Sequence, residues 1–215
     1  MIRCTFFLLA LLPIIGFSQK KQEPFIGKLV YSIEIDDTNF RELYPPKQMV
    51  VYSNDTITRI ENMSDQLGKQ VLLKHLVLNK SFLLIETPGQ NFAIKTDFGD
   101  VEKKPSKYSF KKKMGKRKIA DIKASRLLIS HPDMKVNREF LYLKNYSPKY
   151  INAFEELPGL PVLYYIITED GVFKYTLKSI ELAEPKRDLF GIPSDFKKVT
   201  MDEFMEYILS ETQAE

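Results

Sequence analysis

The chain is poor in the residues that usually carry chemistry. It holds one cysteine, two histidines and no tryptophan among 215 residues. Cys4 lies before an N-terminal apolar run, so a chain cut after that run keeps no thiol, no disulfide and no cysteine-bound metal. With His75 and His131 alone, a zinc site would need carboxylates at unusual spacings. Neither a Gly-x-Ser-x-Gly elbow nor an HExxH pair nor a P-loop is present. Charge is also unspectacular: 32 Lys and Arg against 28 Asp and Glu give +4, too balanced to point to nucleic acid. The residues therefore suggest no enzyme, no cofactor and no metal.

What the chain does have begins at its N-terminus. Arg3 precedes an apolar stretch from Thr5 to Ile15, and Gly16-Phe17-Ser18 leads into Gln19-Lys20-Lys21. A basic start, a short apolar core and small residues before a polar block are the layout of a secretory signal peptide. The run is shorter than the roughly 20 residues of a spanning helix. Cleavage is expected after Ser18, leaving 19–215 as one exported, β-rich domain, periplasmic or facing the outer membrane of a Gram-negative cell.

Phe and Tyr are abundant, at 15 and 11, which suits strands. Leu29, Tyr31, Ile33 and Ile35 recur at period two. Asn54-Asp55, Asn79-Lys80 and Asp170-Gly171 each separate strand-like runs as hairpin turns would. Val71–Leu78 and Asn91–Phe98 are further strand candidates, the second entered through Pro88-Gly89. Phe173, Tyr175 and Leu177 alternate with Lys174, Thr176 and Lys178, predicting a strand at an edge or flank with one wet side. Consecutive hairpins imply an antiparallel sheet. Two helices are predicted: a short one over 148–155, capped by Ser147 with Pro148 first, and a C-terminal one over 201–211. Thr200 and Glu203 form the capping box of the second. Its apolar stripe is Phe204 and Ile208, with Met205 and Leu209 beside them.

Lys103, Lys104, Lys107, Lys111, Lys112, Lys113, Lys116, Arg117 and Lys118 crowd one segment, interleaved with Tyr108 and Phe110. The plainer reading is a solvated loop and an edge strand guarded by lysines. The functional one is contact with anionic lipid headgroups, lipopolysaccharide or an acidic protein. His131-Pro132-Asp133 and Asp97-Phe98-Gly99 copy co-chaperone and kinase tripeptides but lack the surrounding elements. Asp36-Asp37 flank a turn and read as solvated rather than cation-binding.

Glu156-Leu157-Pro158-Gly159-Leu160-Pro161 feeds a strand apolar on both faces, Val162–Thr168. The turn at Pro158 and Gly159 carries no catalytic side chain and is structural. This stretch resembles the name-giving turn of the GLPGLI family of secreted Bacteroidetes proteins and their DUF4412 relatives. Glu156 stands for the family's first Gly and Pro161 for its final Ile. Lys118–Ala124 resembles the family's KIAGYKA segment, and Phe190–Phe196 its closing F-x-IP element. The resemblance implies a curved antiparallel sheet or half barrel like the LolA and LppX lipoprotein carriers. Helices would lie over the concave side, and an acyl chain would sit in it. It transfers no catalytic residue. Candidate lining residues are Tyr31, Ile33, Phe92, Ile94, Phe173, Tyr175 and Leu177, which equally suit an ordinary core. The expected partner is a lipid or other apolar ligand, or alternatively an envelope protein docked on segment 103–118 or an edge strand.

Overall fold

A computed structural model describes residues 22–36, 46–64, 68–87, 89–96, 107–151, 153–168 and 171–212. Six strands follow the N-terminus: β1 (Ile26–Ile35), β2 (Gln48–Asn54), β3 (Ile57–Ser64), β4 (Gly68–His75), β5 (Lys80–Glu86) and β6 (Asn91–Lys95). Five more run from β7 (Ser109–Ile119) through β8 (Ile122–Ser130), β9 (Arg138–Leu143) and β10 (Leu160–Thr168) to β11 (Gly171–Glu181). A last strand, β12 (Phe196–Val199), leads into helix α1 (Met201–Thr212). Among the described residues these strands make one sheet in the order β12-β6-β5-β4-β3-β2-β1-β11-β10-β9-β8-β7. The chain is mostly β, and the sheet is large, curved and open rather than closed into a barrel.

Two meanders explain the order. Each hairpin places the next strand beside the last, and the second meander returns so that β11 pairs antiparallel with β1. Register then fixes which side chains share a face. One row crosses half the sheet: Leu29, Val51, Ile60, Leu72, Leu83, Ile94 and Val199 are successive partners. The same face continues through Tyr31–Leu177 and Ile33–Tyr175 to Tyr164. We term it the inner face, because it carries the main core. Tyr31, Leu29, Phe140 and Tyr164 are fully buried there, and each such side chain contributes about 1.5–3 kcal/mol. The Tyr164 and Tyr175 rings stack at 4.7 Å.

The segment between β9 and β10 covers this core. Ser147 caps a single 3₁₀ turn, Pro148–Tyr150. Tyr150 accepts the Phe25 N–H at 2.9 Å and donates to Asp55, tying the entry of β1 to the β2–β3 turn. Phe154 then projects among Tyr108, Phe140 and Tyr164, with ring centroids at 5.0, 5.1 and 5.9 Å. Its φ of 58° costs about 1–3 kcal/mol for a non-glycine residue. Three edge-on contacts of about 0.5–1.5 kcal/mol each, beyond the area they bury, offset it. Gly159 opens β10 against β9. A Cβ there would overlap the Leu143 carbonyl and crowd the Tyr142 ring. Close approach, not a left-handed backbone, is what the turn requires of glycine.

At the other end α1 covers Phe92 and Ile94 through Phe204 and Tyr207. The capping box forms as predicted: Glu203 N–H donates to Thr200 Oγ1 at 3.2 Å, and Thr200 N–H to Glu203 Oε2 at 2.7 Å. A smaller cluster, Val71, Leu73, Leu84 and Ala93, lies on the opposite face and is covered by Ile192 and Phe196.

Several expectations need correction. The predicted helix 148–155 is only the one 3₁₀ turn, because the chain must leave helical geometry to deliver Phe154 and Leu157 to the core. Strand β11 is not an edge; it sits between β1 and β10, and its outward Lys174 and Thr176 are half-buried. The sheet is not wholly antiparallel, since β12 runs parallel to β6. In α1 it is Tyr207 that joins Phe204 against the sheet, while Met205 and Leu209 are 49% and 58% exposed. Strand β4 stops at His75, whose Nδ1 accepts the Val77 and Leu78 N–H groups and caps the turn. The signal segment 1–18, Asp170 and Pro88 lie outside the described residues.

Candidate ligand-binding groove

The seven predicted lining residues share the inner face but do not enclose one space. Tyr31, Ile33 and Leu177 are buried in the main core, with Phe173 and Tyr175 packed beside them. Tyr31 donates to the Pro161 carbonyl at 2.8 Å, and burial raises its phenol pKa. Phe92 and Ile94 belong to the separate cluster under α1.

The basic segment divides by strand geometry. Lys103 and Lys104 lie outside the described residues, and Lys107 is exposed ahead of β7. Strand β7 is the end of the sheet, as the edge-strand reading expects. Three outward cations of β7 and β8 share one carboxylate. Glu139 binds Arg126 at 2.6 Å, Arg117 at 3.1 Å and Lys113 at 3.6 Å. Burial alone would raise the Glu139 pKa, but hydrogen bonds from Arg126 and Arg117 outweigh it and hold it below the usual range. Lys118 pairs with Asp121 at 2.7 Å, and Lys111 lies opposite Leu128.

Lys112 and Lys116 are different. They lie opposite Leu127 and Ser125, neighbours on the inner face. Between them Met114 and Gly115 form a bulge, with Gly115 at φ 83° and Met114 92% exposed. A regular strand would set the two lysine Cα atoms about 13 Å apart, whereas positions opposite residues two apart are about 7 Å apart.

Two further lysines join them, Lys123 on β8 and Lys144 just past β9. Lys116, Lys123 and Lys144 line a groove of about 420 Å³ whose other walls include Ile122, Tyr146, Ile180 and Leu182. A second hollow of about 330 Å³ shares Lys116, Ser125 and Lys144 and adds Lys112 and Arg126. Among the described residues no carboxylate pairs with Lys112, Lys116, Lys123 or Lys144. Burial raises the pKa of Tyr142, and of Tyr146 together with the Glu23 charge, so both remain neutral phenols. The arrangement can hold an anion against an apolar wall. No three His, Asp or Glu side chains converge as a metal site among the described residues. His131 Nδ1 instead accepts the Asp133 N–H at 3.1 Å, beside the Tyr108 ring, and Asp36 pairs with Arg138 at 2.5 Å.

Sequence reading missed Lys123, Lys144, Ile180 and Leu182. The usable signal was the β7–β8 hairpin, disguised because its turn is Ala120-Asp121, with both φ angles positive, rather than Asn-Gly.

No family model matches the chain, and no curated protein does. Eight chains of solved structures match. One is from the crystal structure of MucB in complex with MucA(peri), with a TM-score of 0.44 and 13% identity, covering 81% of this chain and 56% of that one. This chain thus spans little more than half the length of that MucB chain. No helix among the described residues is long and apolar enough to cross a membrane.

Proposed function

We propose that this chain is a non-enzymatic binding protein of the cell envelope, exported by residues 1–18, that holds a ligand with an apolar part on the inner side of its sheet. Its membership of the GLPGLI group, with the LolA and LppX carrier shape, is part of the same proposal. The observation that carries it is the groove at the β8–β9 end of the inner face, lined by Ile180 and Leu182 together with three lysines that have no carboxylate partner among the described residues. A volume of about 420 Å³ falls in the range of small-molecule sites. The large aromatic core beside it is filled by Phe154 and Leu157, so the groove, not the core, offers room.

The test is to purify the mature protein from its own envelope and extract it with organic solvent. Lipid near one per chain supports the reading; a clean extract contradicts it.

A second reading, docking of an acidic envelope protein, rests on β7 as the sheet edge among the described residues, rich in exposed lysines. Crosslinking in intact cells would then give one dominant partner, lost on charge reversal of Lys111, Lys112 and Lys113. An unchanged pattern removes that reading.

A further inference from the structure

We infer that the groove between β8, the end of β9 and the end of β11 is a site for a phosphomonoester amphiphile. The phosphate would lie on Lys116, Lys123 and Lys144, and the apolar arm against Ile180 and Leu182. This names the ligand class for the binding function proposed above and rests on it.

Three observations carry it. First, protection of an edge strand explains lysines on β7 only, yet Lys123 is on β8 and Lys144 follows β9. Second, several other cations here have a carboxylate beside them: Glu139 gathers Arg126, Arg117 and Lys113, and Asp121 takes Lys118. Among the described residues the groove lysines are left without a carboxylate, while the Met114–Gly115 bulge brings Lys112 beside Lys116. A concave wall of one sign focuses the field and raises the local concentration of anions. Third, the opposite wall is apolar and Leu182 is 65% exposed, an arrangement that a free anion would not need.

The charge count selects the headgroup. Three ammonium groups line the groove, and a phosphomonoester, carrying about −1.5 to −2 at neutral pH and three acceptor oxygens, matches them better than the single charge of a carboxylate. Lysine binds phosphate as a movable point charge.

The experiment is calorimetric titration of the mature chain with dihexanoylphosphatidic acid, dihexanoylphosphatidylcholine and inorganic phosphate at low salt. The phosphatidic acid should bind at least about tenfold more tightly than either comparator. Replacing Lys116, Lys123 and Lys144 together by Ala should weaken it by at least about tenfold, since charge-assisted hydrogen bonds are the strong ones. Leu182→Asp should weaken the amphiphile and leave phosphate less affected. Lys197→Ala with Lys198→Ala, on β12 at the far end of the sheet, should change nothing. Inorganic phosphate binding as tightly as the amphiphile, with Leu182→Asp silent, would overturn the amphiphile and leave a free-phosphate site. Equal losses in the groove and β12 variants would overturn the site altogether. If solvent extraction recovers lipid while the groove variants bind normally, this inference fails and the binding function stands. A clean extract with no probe bound removes both.

Discussion

Lys118 and Lys123 face each other directly across the β7–β8 ladder. Like charges opposed in this way destabilise a sheet, and Asp121, 2.7 Å from Lys118, relieves only one of them. Lys123, which has no carboxylate partner among the described residues, is the member that enters the groove. Asp121→Asn should therefore lower stability, by about 0.2–1 kcal/mol, and strengthen binding of an anionic probe. Denaturant melts and titration of the same variant check both halves.

Gly159→Ala should be among the most damaging single changes in the chain. The new methyl would meet backbone at Leu143, which cannot swing aside, so the loss should reach the 1–3 kcal/mol of an overpacked core or more. Urea unfolding measures it. Pro158→Ala, at an exposed position, should cost under about 1 kcal/mol.

Ala120→Gly should stabilise, against the usual direction for a glycine in a sheet protein. Ala120 has φ 45°, and left-handed geometry costs a non-glycine residue about 1–2 kcal/mol. The entropy of glycine returns about 0.5–1 kcal/mol of that. A net gain of up to about 1.5 kcal/mol is expected in thermal or chemical melts.

Glu139 should make stability fall in acid. Its pKa is lowered in the folded chain, because hydrogen bonds from Arg126 and Arg117 outweigh burial. The stability it confers is thus present above the unfolded value, about 4.3, and is lost as pH falls through the lower folded value. Glu139→Gln should be less stable than the parent at pH 7, by about 1–2 kcal/mol, and its stability should decline less between pH 5 and pH 2. Parallel declines would contradict the assignment.

Much of the fold could be read in advance because its determinants are local. Period-two alternation in β1, Asn54-Asp55 between β2 and β3, and the Thr200–Glu203 box each act within a few residues. The parallel pairing of β12 with β6 could not, since it joins Phe196 to Asn91 across a long stretch of chain with no short-range signature. Nor could the fate of 148–155, where Ser147-Pro148 signals a helix start but the demand for Phe154 among three rings takes over. The groove was half legible. Lys116 stood out in a charge run, but Lys123, Lys144 and Leu182 meet it only through a hairpin register and the return of β11 beside β1.

The claim that this sheet holds a molecule, rather than merely folding, is tested most directly by native mass spectrometry of the mature protein taken gently from its own envelope. The account predicts a population heavier than the polypeptide by the mass of one phosphate-bearing amphiphile, and its collapse to polypeptide mass when Lys116, Lys123 and Lys144 are replaced together by Ala. A single peak at polypeptide mass for the unaltered protein would contradict it.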